Sequence, residues 1–126
     1  VFFFIYYYFK YISYIRFRSI PLSQIAEIEA LLNAKDQRQK GLLALNSLLK
    51  RVALRGYSRE KVASLSGESW TKFLNVSCKN IDFNKYPGNL MQNAGYQDDE
   101  ILNKISKRDL DQLIQMSKKW ITHHKS

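Results

Sequence analysis

Cysteine, proline, glycine, histidine and acid are all in short supply in this chain. The one cysteine, Cys78, excludes an internal disulfide framework and any multi-cysteine zinc site. Two prolines and five glycines are too few for a turn-rich β-sandwich. The two histidines, His123 and His124, are adjacent, and neighbours on a helix diverge by about 100°, so they do not chelate one metal from one face. They read instead as a solvated pair beside a helix C-terminus. Eleven acidic residues face twenty basic ones, a net charge of +9. What remains is a chain of 126 residues, 45% apolar: enough for one folded domain and too little for two.

The usual signs of chemistry are correspondingly thin. Asp98, Asp99 and Glu100 are consecutive, whereas a calcium loop alternates its ligands around a glycine turn, so they read as a solvated acidic turn. Gly56, Gly67, Gly88 and Gly95 are isolated and make no phosphate loop. Cys78 has no local partner and reads as a structural thiol. The expectation is a protein that is not an enzyme and takes no cofactor or metal.

Aromatic residues are plentiful but crowded: ten of seventeen lie in the first seventeen positions. Phe2, Phe3, Phe4, Ile5, Tyr6, Tyr7, Tyr8 and Phe9 follow Val1 without interruption, and Ile12 and Ile15 carry the pattern past Lys10. Bulk on every side of a helix is how a segment surrounded by lipid looks. A span needs about 20 residues and this stretch offers about 15. With a start at Val rather than Met, residues 1–15 are expected to be the C-terminal part of a transmembrane helix. A core strand of this bulk would need both faces covered, and a signal peptide would carry its charges first and end in small residues. Lys10, Arg16 and Arg18, with no acid before Glu27, put the following domain on the cytoplasmic side of the membrane. The chain thus divides into 1–18, the end of a span with a basic flank, and 19–126, a helical domain.

That domain is patterned for helices throughout. Leu22, Ile25, Ile28, Leu31 and Leu32 recur at spacings of three and four, and the polar run 35–40 reads as a loop or an exposed turn. Over 41–55, Leu42, Leu45, Leu48, Leu49 and Val52 share one arc, with Leu43 and Leu54 on a separate line beside Lys50. Gly56 should end this helix, Ser58 should cap a short one over 59–65, and Ser66 should cap one running through Trp70, Phe73, Leu74 and Val76. Residues 79–99 are turn-rich, with one helical turn at Asn89–Asn93. A closing helix opens at Ser106 and Asp109 and buries Leu110, Leu113, Ile114, Met116, Trp120 and Ile121. The architecture expected is an all-α, orthogonal helical bundle.

The basic residues concentrate over 35–61, and Arg51, Arg55, Arg59 and Lys61 gather around the end of one helix and the start of the next. Such a patch serves as a solvated face, or as a contact to lipid or an acidic protein. Nucleic acid, through a helix–turn–helix over 42–75, ranks behind these.

Residues 42–75, LLALNSLLKRVALRGYSREKVASLSGESWTKFLN, resemble a bacterial domain of unknown function in small single-span membrane proteins. Genes of that family lie beside those for MoxR-type AAA ATPases and von Willebrand factor A-domain proteins of the Bat type. The tightest piece is Leu65-Ser66-Gly67-Glu68-Ser69-Trp70 with Phe73-Leu74, and Lys119-Trp120-Ile121 also fits; residues 79–99 depart from the pattern. The resemblance brings no catalytic residues. It implies a membrane-tethered helical adaptor in an ATPase and A-domain complex, serving envelope stress resistance or protein maturation. A basic module binding nucleic acid is the alternative, and an enzyme subunit completed by another chain is a third.

Overall fold

The computed structural model describes residues 4–8, 24–95 and 97–124. Six α-helices carry the domain: α1 over 24–33, α2 Arg38–Gly56, α3 Arg59–Ala63, α4 Glu68–Ser77, α5 Asp99–Lys104 and α6 Lys107–His123. Two 3-10 turns, Lys35–Gln37 and Gly88–Asn93, link them. No strand occurs among the described residues, in keeping with an all-α class.

Residues 4–8 are helical, and Phe4, Ile5, Tyr6, Tyr7 and Tyr8 are all exposed. Phe2, Phe3, Phe9, Ile12 and Ile15, and with them most of the expected span, lie outside the described residues. Among the described residues no helix is long and apolar enough to cross a membrane.

Helix α2 organises the rest. Its stripe of Leu42, Leu45, Leu48, Leu49 and Val52 is buried, and it touches α3, α5, α6 and both 3-10 turns. Helix α1 runs back along it: Gln24 meets Arg51 near one end, and Leu32 packs on Gly41 near the other. A Cβ at Gly41 would stand 2.8 Å from the Leu32 side chain and 3.1 Å from its backbone nitrogen, so the close approach of α1 requires glycine there. Ile25, Ile28 and Leu32 of α1 and Leu110, Leu113, Ile114, Trp120 and Ile121 of α6 complete the core. Met116 only packs against it from a partly buried position.

The caps follow the sequence in part. Ser58 Oγ accepts from the Lys61 amide at 3.3 Å, and Ser106 Oγ accepts from the Asp109 amide at 3.1 Å. Ser66 does not cap α4. The N-cap is Gly67, at φ 57° and ψ −129°, a conformation open to glycine because it has no Cβ. The Ser66 amide donates to Ser69 Oγ at 3.0 Å and the Ser69 hydroxyl donates back to Ser66 O at 2.7 Å, so the serine inside the helix does the tying. The acidic run is not a free turn either: Asp98 caps α5, its carboxylate accepting from the Glu100 amide at 3.3 Å.

The stretch read as turn-rich is fastened to α4. Asn75 Oδ1 accepts from the Phe83 amide at 2.7 Å, and Asn75 Nδ2 donates to Asp82 at 3.1 Å. Thr71 Oγ1 lies 2.6 Å from Asn84 Oδ1 and accepts from Gln92 Nε2 at 3.1 Å. These bonds seat Phe83, Leu90 and Met91 in the core.

Candidate functional site

A concentration of basic side chains lies at the corner where α2 ends and α3 begins. Between Lys50 and Lys61 stand five basic residues and one acid, Glu60. Arg51, Arg55, Arg59 and Lys61, the four residues singled out in the sequence, are all exposed, the first two in the last turns of α2 and the other two in α3. Arg51 Nη2 donates to Gln24 Oε1 at 3.0 Å. Arg55 stands in the last turn of α2, where a cation complements the helix dipole. Arg55 and Arg59 have neither a hydrogen bond nor an ion pair among the described residues.

An aromatic floor lies under two of the cations at this corner, Lys50 and Lys61. Trp70 is 1% exposed, donates Nε1–H to Asn46 Oδ1 at 2.8 Å and stacks on Phe73 with centroids 5.7 Å apart. Lys50 Nζ lies 5.5 Å from the Trp70 centroid, and Lys61 Nζ lies 5.8 Å from Tyr57 and 5.9 Å from Phe73. Trp70 and Phe73 of the motif are therefore core, with the basic corner above them. Ser66 and Glu68 are exposed, Glu68 in the first turn of α4.

The opposite end of α2 carries an arginine that the sequence places in the polar run 35–40, expected as a loop or an exposed turn. Arg38 is buried: its Nε donates to Leu32 O at 3.1 Å, and its Nη1 to Leu102 O at 2.6 Å and Ile105 O at 3.3 Å. Those carbonyls belong to the C-terminal ends of α1 and α5, so one guanidinium caps two helices. The signal was available, since Arg38 stands in phase with Leu42, Leu45 and Leu49. Beside it opens a groove of about 560 Å³ lined by Lys35, Asp36, Gln39, Leu102 and Asn103. Gln39 Nε2 donates to Ala94 O, while its buried Oε1 has no partner among the described residues.

A smaller groove of about 320 Å³ brings together Val76, Cys78, Lys79, Asn80, Lys119 and His123. Lys119 Nζ donates to Asn80 O at 3.4 Å. Burial pushes the Cys78 thiol up, against a weaker opposite pull from Lys119, so the group stays protonated. A buried, protonated thiol is a poor nucleophile, in keeping with a structural Cys78.

The histidines differ from the solvated pair expected. His123 is exposed, but His124 stacks on fully buried Trp120 with centroids 4.3 Å apart. Its Nδ1 lies 2.8 Å from Trp120 O and 3.0 Å from Ile121 O. Burial lowers its pKa below 6.5, and the two backbone contacts only partly oppose this. Among the described residues no group of three or more His, Cys, Asp or Glu comes together as a metal site.

A family model described as Domain of unknown function (DUF4381) matches residues 1–123. No curated protein and no solved structure matches the chain.

Proposed function

The chain belongs to the DUF4381 family, and from that premise we propose that it is a non-enzymatic, membrane-anchored helical adaptor. The observation that carries this reading is the order of residues 1–18: apolar and aromatic side chains without an acid, then Arg16 and Arg18, then a domain whose helices bury only one stripe each. An all-round apolar segment followed by amphipathic helices is the pattern of an anchor and the domain it holds. The basic flank favours the cytoplasmic side for the domain, and the resemblance favours a bacterial inner membrane. The resemblance to proteins encoded beside MoxR-type ATPases and von Willebrand A-domain proteins supports those two classes as partners. Their joint action suits envelope stress resistance or the maturation of other proteins.

Fractionation tests the anchor directly. The protein expressed from its own reading frame is expected in the membrane pellet after both carbonate and high-salt washes, because burial in lipid is not undone by screening. Release by salt alone defeats the anchor. Capture from solubilised membranes then tests the partners: an ATPase or an A-domain protein is expected to be retained.

The exposed cations at the α2–α3 corner favour one second reading, a nucleic-acid module. Sequence-selective duplex binding that falls steeply with salt would replace the adaptor by that module.

A further inference from the structure

The two ends of α2 differ in what they offer and in where the chain enters. Gln24, the first described residue of α1, is bonded to Arg51 at the basic corner. Ile15 lies nine residues before Gln24, and at about 3.4 Å per residue the corner is tethered within about 30 Å of it. From that point α1 carries the chain away toward Arg38, and α2 brings it back. Arg38 stands 17 residues before Arg55 on the same helix, about 25 Å away at 1.5 Å per residue. The N-terminal segment is therefore tied to the end of the domain where Arg51, Arg55, Arg59 and Lys61 are exposed, with Arg16 and Arg18 on the connecting stretch.

Resting on the anchored reading above, we infer that this corner is a docking surface for anionic phospholipid headgroups. Arg55 and Arg59 are free of partners among the described residues, and guanidinium groups present planar donor sets that match phosphate oxygens. Leu54, partly exposed between Arg51 and Arg55, adds an apolar side chain at the same surface. Anionic headgroups attract such cations over a range set by the Debye length, about 10 Å at 0.1 M salt. Docking there fixes the domain's attitude: the basic corner faces the bilayer, and the Lys35–Asn103 groove points away from it, some 25 Å farther out by the rise of α2.

The test uses the full chain in vesicles of phosphatidylcholine, with or without phosphatidylglycerol, that carry a headgroup nitroxide. A fluorescent label is placed at Ala63→Cys or, for reference, at Asn103→Cys, each in a Cys78→Ala background checked by circular dichroism. With phosphatidylglycerol at about 0.1 M salt, quenching at position 63 is expected to exceed that at 103 about twofold or more. The excess should vanish in about 1 M salt, in phosphatidylcholine alone, and on joint reversal by Arg51→Glu, Arg55→Glu, Arg59→Glu and Lys61→Glu, while carbonate-resistant association persists throughout. Equal quenching at both positions, or an excess that survives charge reversal, overturns the inference and leaves the anchor standing. Carbonate release of the unaltered chain overturns the anchored reading and this inference with it. Loss of a captured protein on charge reversal, with quenching unchanged, assigns the corner to protein and overturns the lipid surface.

Discussion

Arg38 and Arg55 stand on one helix, 17 residues apart, and are used in opposite ways. Arg38 is buried, and its guanidinium serves carbonyls at the ends of two helices. Arg55 is exposed and bonded to nothing among the described residues. Both contribute one unit to the same net charge, so a count of basic residues does not distinguish a cation that builds the fold from one left for a partner. Partnership distinguishes them: charge already satisfied inside the molecule is not offered to anything outside it.

The largest test of that contrast lies beneath the basic end. Trp70→Ala should destabilise by about 3–5 kcal/mol in chemical denaturation, because it empties a buried indole site, removes the ring under Lys50 and ends the stack on Phe73. A loss under about 0.5 kcal/mol would mean that the corner does not rest on the core. At the other end, Arg38→Met should cost about 3 kcal/mol, since carbonyls of α1 and α5 lose a charged donor. Equal stability of the variant would erase the distinction between the two arginines.

A smaller effect concerns the end of α6. Arg55 ends α2 in the open, whereas burial disfavours the charged form of His124 at the end of α6. Its folded pKa lies below the unfolded value of 6.5, so below 6.5 the unfolded chain binds the extra proton. This contribution to stability is intact above 6.5 and falls as pH drops from 6.5 through the folded pKa. Nuclear magnetic resonance titration should place the His124 midpoint below 6.5, and His124→Gln should flatten the change in Tm over that window; a midpoint at or above 6.5 refutes it. The smallest effect is expected for Arg55→Ala with Arg59→Ala, within about 0.5 kcal/mol of the parent by denaturation. A larger loss would show these exposed arginines holding the fold together, as Arg38 does.

The parts legible in the sequence are those whose signal is local and periodic. The α2 stripe and the caps at Ser58 and Ser106 each depend on residues a few positions apart, and all three appear as expected. The failures share a different cause. Arg38 is buried only because Leu102 and Ile105, more than sixty residues later, bring their carbonyls to it. His124 lost its solvated character to a stack on Trp120, one helical turn earlier, which the position of a helix end alone does not reveal. At α4, serine has the better record as a cap, but the turn's positive φ gave the N-cap to Gly67. Asp98 reads as a solvated acid until α5 is seen to start beside it.

The tie between α4 and the segment after it has a consequence for how the chain would be cut. Residues 79–95, with their glycines, asparagines and a proline, have the composition that proteases favour in a surface linker. Here the Phe83 amide is held by Asn75, its ring is fully buried, and Asn84 and Gln92 meet at Thr71. For a peptide bond near Phe83 to enter a protease's cleft, the ring must leave the core and α4 must let go of it. A nick at this point would therefore count openings of the whole domain, and its amide hydrogens should exchange as slowly as those inside α4.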